Sequence, residues 1–304
     1  MNKLTKAGLT ALAGSLVASS AYAGALDVSG SAKVTYFSAD EDEVTGNSFK
    51  MGKGITFSGS GELDNGFTMN YSYTMTNAAF SSQTISLDMG DAGTVGLSNS
   101  GGVAGMMAFA SIVPNSGEQV WDDMNNNDNG IITFNNLSET NSLYYKGNFG
   151  PLSANFAYTN EGQSGGSDEH GVVTFNAMDG LMLGFGMGEE ADNMDMDTMF
   201  AKYTMGNIVA GIQVTELDFT GTTADEESTQ VALGVTVNEN LAFSIGRTEV
   251  DITGTASDEE STGISVSYTM GGMSITAISN GQDHTGGSAT ADDAYKELTV
   301  AFAF

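Results

Sequence analysis

Polar and apolar residues alternate along almost the whole chain. In Phe67–Met75 the alternation is strict, with Phe67, Met69, Tyr71, Tyr73 and Met75 against Thr68, Asn70, Ser72 and Thr74. A period of two marks a strand. The same ruler predicts sixteen strands: Leu26–Phe37, Ile55–Gly61, Phe67–Met75, 82–89, 93–98, 141–147, 152–159, 170–177, 181–187, 197–205, 207–216, 229–237, 241–248, 261–270, 272–279 and 293–303. Only Val103–Val113 hints at a helical period.

The gaps between these strands are of two kinds. One set is short and rich in turn formers, such as Asp64-Asn65-Gly66, Met178-Asp179-Gly180 and Met270-Gly271-Gly272, the chemistry of hairpin turns. The other is mostly long and acidic: 38–50, 98–140, 160–169, 188–196, 217–228, 249–260 and 280–292, with 76–81 its one short member. Short and long gaps alternate, so every long loop falls at one end. A transmembrane barrel has this asymmetry, and an even strand number puts both termini on one side.

The two strand faces separate a barrel from a sandwich. Leu181, Leu183, Phe185 and Met187 share one parity, as do Ile208, Ala210, Ile212 and Val214; the opposite parity carries mostly Thr, Ser, Gln and Gly. The inner faces of a sandwich are both apolar, whereas a polar parity on nearly every strand predicts a wet interior. The final segment keeps its alternation into Phe304, as a last strand does when it must pair with the first to leave no edge. The predicted fold is all-β: a sixteen-stranded antiparallel transmembrane barrel.

One stretch breaks the rhythm. Residues 98–140 run through GGVAGMMAFASIV and PNSGEQVWDDMNNNDNG before strand patterning resumes. A long insert in a meander is a functional loop or a disordered one. The expectation is that it folds into the lumen and sets the bore, with Val103–Val113 as a short helix stopped by Pro114.

Composition narrows the setting. Lys3 and Lys6, the apolar run Ala7–Ala18 and Ala21-Tyr22-Ala23 read as a secretory signal peptide over residues 1–23. The barrel would then occupy 24–304, with seven basic residues against 38 acidic ones. That balance excludes nucleic acid as a partner, since nothing supplies phosphate contacts. The chain has no cysteine, so disulfide and thiol chemistry are absent.

LDVSGSAKVTYF, GELDNGFTMNYSYTM, ETNSLYYKGNFG after the insert and the terminal aromatic resemble a Gram-negative general porin, most of all the sixteen-stranded trimeric porins of alphaproteobacteria. The resemblance implies passive diffusion of small hydrophilic solutes and ions across the outer membrane after export through the inner membrane. It also implies a homotrimer set in outer-membrane lipid and lipopolysaccharide, without a cofactor. In that family the third external loop folds inward as a constriction, and the 98–140 insert is the third long-side gap. General porins face that loop with an arginine cluster, but this barrel has one arginine, Arg247, on the outward parity. A bulge or snorkelling would be needed to bring it inside.

The candidate constriction residues are Glu118, Asp122, Asp123 and Asp128, whose carboxylates would attract cations and repel anions; a solvated loop is the plain alternative. Trp121, the only tryptophan, either anchors the insert or stacks on a sugar-like solute. By parity Lys33, Tyr144, Lys146 and Lys202 face the lumen. No EF-hand spacing is present, so Ca²⁺ or Mg²⁺ would bind only diffusely to the acidic loops, and no dedicated metal site is expected. His170 and His284, the only histidines, sit in no catalytic motif, so no enzyme is expected. The expected function is a weakly cation-selective diffusion channel; the alternatives are a solute-specific channel or an adhesin using its acidic loops.

Overall fold

The computed structural model describes residues 26–39, 47–99, 102–110, 112–122, 124, 131, 132, 134, 137, 140–160, 167–190, 193–221 and 223–304. Residues 1–23, read as a signal peptide, the acidic residues 40–43, Asp123 and Asp128 lie outside them.

Sixteen strands form one closed antiparallel barrel. The first eight are β1 (Asp27–Ala39), β2 (Phe49–Glu62), β3 (Thr68–Thr76), β4 (Ala79–Asp88), β5 (Thr94–Asn99), β6 (Ser142–Phe149), β7 (Leu152–Thr159) and β8 (Asp168–Met178). The second eight are β9 (Leu181–Glu190), β10 (Met194–Met205), β11 (Ile208–Phe219), β12 (Glu226–Thr236), β13 (Leu241–Ile252), β14 (Glu259–Met270), β15 (Met273–Asp283) and β16 (Asp293–Ala303). Each pairs with its sequence neighbour, and β16 closes on β1 from Ser31↔Ala303 to Ala39↔Tyr295. The seam is finished at its end by Gly30 and Phe304, whose backbones exchange hydrogen bonds of 2.6 and 3.0 Å. No edge is left unpaired along the seam, which is what a barrel in lipid requires.

Outward side chains form an exposed apolar band, including Val34, Ile55, Ile85, Leu143, Phe185, Ile212, Ile245 and Leu298. Exposed Phe149, Tyr203, Phe243, Tyr268, Phe302 and Phe304 gather towards the short-turn end. That placement suits amphipathic rings at a membrane–water boundary.

The strand count and the alternation of turns and loops are as expected, but many strands run further towards the long-loop end. β2 begins at Phe49 instead of Ile55, β10 at Met194 instead of Asp197, and β11 ends at Phe219 instead of Glu216. In the extensions of β10, β11 and β13 the period of two persists while its phase reverses. Met194, Met196, Leu217 and Val250 point inward and are buried, whereas Asp195, Asp197, Glu216, Asp218 and Asp251 point outward. Much of the acidic character assigned to loops therefore stands on strands, in opposed register. Glu189 faces Asp195, which faces Asp218; Asp197, Glu216, Glu227 and Asp251 form a second row. The expected gap 76–81 is only a two-residue turn, Asn77-Ala78, with φ of 51° and 70°, the positive pair that a tight hairpin needs.

Among the described residues, loops near the long-loop end brace one another. The Thr220 N–H donates to the Asn193 carbonyl (2.7 Å), the Thr253 N–H to the Asp225 carbonyl (2.9 Å), and the Gly286 N–H to a Glu259 carboxylate oxygen (2.8 Å).

Candidate functional site: the lumen and the insert across it

The inner wall is of two kinds, and the insert accounts for the division. On β1–β4 the inward residues are mostly small and polar: Ser29 and Ser31, then Thr56, Ser58 and Ser60, then Asn70, Ser72 and Thr74, then Ser82, Thr84 and Ser86. On β8–β13 they include Val172, Met194, Met196, Phe200, Leu217 and Val250, all buried. These face Met106, Val113, Trp121, Ile131, Ile132, Phe134 and Leu137 of the insert in one hydrophobic cluster. Apolar residues aimed into a barrel are stable there only under a dry cover, and the insert is that cover.

The insert is fastened strand by strand. The Gly105 N–H donates to Asn155 Oδ1 (3.0 Å) on β7, and the Met106 N–H to His170 Nδ1 (2.9 Å) on β8. Gly105 has φ +52°, and a Cβ there would lie 2.1 Å from His170 Nδ1, so only glycine allows this approach. Phe109 stacks on Phe200 of β10 with centroids 5.5 Å apart, and Gln213 of β11 donates to the Phe109 carbonyl (3.3 Å). Pro114 lies on Gly211 and Gly234, where an added methyl would approach its ring to 2.9 and 3.1 Å. The Ser116 N–H reaches Ser244 Oγ (2.9 Å) and Ser265 Oγ (3.1 Å) on β13 and β14. Asn280 of β15 donates to the Gln119 carbonyl (3.0 Å). Met124 then packs on Ile278 and Tyr295. The path sweeps from β7 to β16, reaches Phe37 and Ala39 of β1, and leaves the β2–β4 wall uncovered. In place of the expected helix Val103–Val113 there is a single 3₁₀ turn, Gly105–Phe109. Its backbone groups are spent on the wall and not on a continuing helix.

The expected site residues fall in different places. Trp121 is 1 % exposed within the cluster, in the position of an anchor and out of a solute's reach. Glu118 has one carboxylate oxygen buried, and borders a narrow gap with Ser244, Thr248 and Ser265 on the wall side of the insert. Asp122 is half-buried and accepts the Gln119 N–H (2.9 Å), which ties the turn that carries Trp121. Lys33 faces inward, exposed, on the uncovered wall beside Gly52. Tyr144 is buried and inward, its hydroxyl hydrogen-bonded to Ser86, with Lys146 Nζ 5.3 Å from its ring centroid. Lys202 is inward and half-buried. Arg247 stays outside: no bulge turns it in, and it pairs with Glu249 (2.6 Å) and Glu260 (2.7 Å) on the barrel's outer face.

Two residues not expected in the lumen belong to it. Lys50 points inward at the start of β2, its Nζ 4.1 Å from the Phe37 ring centroid and 5.8 Å from that of Tyr295. Running the alternation back from Ile55 through Lys53 and Met51 to Phe49 puts Lys50 on the Thr56–Ser58 face, so its signal was present. His170 carries no motif because its role is local: a ring nitrogen accepts one backbone N–H of the insert. The described lumen thus offers Lys33 and Lys50 by the uncovered wall, and Glu118 and Asp122 on the insert. This can steer and sort ions, but it assembles no nucleophile with a base. Among the described residues no three His, Cys, Asp or Glu side chains group as a metal site.

The architecture has known counterparts. A porin refined at 1.8 Å resolution superposes with a TM-score of 0.69 at 16 % identity, covering 92 % of this chain and 100 % of that one. OmpT, an outer membrane protein of Vibrio cholerae, gives 0.68 at 11 %, covering 92 % and 98 %. A triple mutant of the Rhodopseudomonas blastica porin gives 0.65 at 12 %, covering 92 % and 100 %. No curated protein sequence matches significantly. At such identities these structures speak for the fold alone, but the model of the Gram-negative porin family matches residues 8–301. With nearly its whole length matched and its strands closed into a porin-like barrel, this chain belongs to the Gram-negative porin family.

Proposed function

We propose that this chain is a passive diffusion channel of the outer membrane for small hydrophilic solutes and ions, weakly selective for cations. The observation that carries the reading is the divided lumen: one wall is sealed under an apolar, hydrogen-bonded insert while the opposite wall stays polar and open. Solutes then pass between the insert and β2–β4. The mature barrel begins at Gly24 after export through the inner membrane and works as a homotrimer among lipid and lipopolysaccharide.

Selectivity follows from the charge distribution. The formal net charge is −29, and the rows of opposed carboxylates at the long-loop end hold a diffuse cloud of counter-cations that shrinks as salt is added. Divalent cations join that cloud without a dedicated site. Glu118, Asp122, Asp123 and Asp128 extend the bias along the insert, while Lys33, Lys50, Lys146 and Lys202 temper it to a weak preference. No arginine ladder opposes the insert, so the field across the pore is shallow. The barrel carries out no covalent chemistry.

Single-channel recording of the mature protein across a KCl gradient tests this. Stepwise openings in threes with a cation-biased reversal potential are expected, and the bias should fall when Asp122 is changed to Asn. A folded, inserted protein that never conducts would overturn the diffusion role and turn attention to the outer loops.

A further inference from the structure

The uncovered wall is a grid as well as a polar surface. Ser58 of β2, Ser72 of β3 and Thr84 of β4 stand directly opposite one another in register. The rung on one side is Thr56, Thr74 and Ser82, and the rung on the other side is Ser60, Asn70 and Ser86. Cross-strand neighbours are about 4.8 Å apart and successive rungs about 6.7 Å apart. Eight of these nine side chains are hydroxyls, and none is charged. The middle rung, the Ser60 rung and Ser82 line a cavity of about 520 Å³ whose sole charged lining residue is Asp27, with Val103 of the insert as its apolar border. That volume lies within the range of small-molecule pockets.

We infer that this grid is a low-affinity track for uncharged polyhydroxylated solutes, sugars and polyols, favouring them over ions and over equally sized solutes without hydroxyls. The inference rests on the diffusion reading and names the solute class that the open lane prefers. A hydroxyl both donates and accepts, so a Ser or Thr can meet a sugar hydroxyl in either sense by rotating its proton. Repetition over three strands lets a solute exchange one set of partners for the next without passing through an unpaired state. Thr56 and Thr74 already hydrogen-bond each other at 3.0 Å, a pair in which either hydroxyl can be the donor. Because each bond replaces one to water, the net gain per contact is small. Binding is then firm enough to admit a sugar and weak enough to release it, which is what permeation demands. An ion gains less, since a hydroxyl wall without opposite charge returns little of its hydration.

The test is current-noise analysis in planar bilayers with maltotriose, compared with a polyethylene glycol of equal hydrodynamic radius. Maltotriose should produce saturable excess noise and partial block, and the polymer only a graded loss of conductance by exclusion. The triple variant Ser58→Ala, Ser72→Ala and Thr84→Val removes one rung while keeping its shape, and should weaken the maltotriose response about tenfold, the product of three small net hydrogen bonds. Its own conductance reports that it is folded. Should it fail to insert, Thr84→Val alone carries the test with about a twofold loss. Ser228→Ala, on the covered wall, should respond to maltotriose as the parent does. If maltotriose and the polymer act alike, or the rung variant keeps the parent response, the track is overturned with the diffusion channel intact. Absence of any conductance in the parent overturns both.

Discussion

The two halves of the inner wall are built on the same strand geometry and closed by the same hydrogen-bond ladder, yet they obey opposite solvent rules. On β2–β4 the inward side chains are Ser, Thr and Asn, partly exposed and replaceable by water. On β10–β13 they include Met194, Met196, Phe200, Leu217 and Val250, sealed by Trp121, Phe109 and Val113. The difference shows that a barrel lumen is not polar because it is a lumen. It is polar where solutes pass and apolar where chain must be held.

The sharpest way to break this contrast is to take the anchor from the covered half. Trp121→Ala removes a side chain that is 1 % exposed and opens a cavity between insert and wall, at a cost of about 3–5 kcal/mol. The barrel ladder is untouched, so the loss should fall on the docking of the insert. Protease cleavage within 98–140 of the folded barrel should become fast, and single-channel current should grow noisier and larger. A variant with parental noise and protease resistance would mean that the hydrogen bonds to Asn155, His170, Ser244 and Ser265 hold the insert without the cluster.

This division also explains what could be read from the sequence. The barrel, its strand number and the place of the insert were all legible, because a period of two and alternating gap lengths are local signals. The covered half was not. In Met194-Asp195-Met196-Asp197-Thr198-Met199 the apolar residues change face within one strand. A reader expecting lipid-facing apolar residues ends the strand where the phase flips and assigns the acids to a loop. The flip is the signal, but it becomes interpretable only once something inside the barrel is known to cover Met194 and Met196. Side-chain direction within the insert has no period at all, which is why Trp121 and Glu118 could be nominated for the pore although the first is packed away and the second is turned in part to the wall.

The covered half keeps some polar residues, and these sharpen the comparison at a smaller scale. Both amide atoms of Gln230, Ser228 Oγ and Thr248 Oγ1 are buried without a hydrogen-bond partner. An unpaired buried amide is a net loss, and an apolar group of the same shape is neutral or better. Gln230→Met should therefore raise the thermal stability of the barrel, by about 1 kcal/mol, with single-channel current unchanged. The matching change on the open wall, Asn70→Leu, should show no such gain, since water already serves that side chain. A destabilised Gln230→Met barrel would place Gln230 among satisfied polar groups and weaken the view of this wall as dry.

The smallest effect concerns the outer face, where Arg247 is set among rows of carboxylates. It bridges Glu249 and Glu260, which face each other in register, at 2.6 and 2.7 Å, with all three side chains more than a third exposed. Like charges directly opposed on a sheet repel, and Arg247 relieves one such pair. Exposure and screening keep the value of the pair of contacts to about 1 kcal/mol or less. Arg247→Gln should lower the melting temperature slightly at low ionic strength, and the deficit should vanish in molar salt, where the Debye length falls to about 3 Å. Because the guanidinium lies outside the lumen, the reversal potential in a salt gradient should not move. A shifted reversal potential with unchanged stability would put the arginine's field inside the pore. The covered wall would then transmit charge as well as exclude water, and the two halves of the lumen would differ less than their side chains suggest.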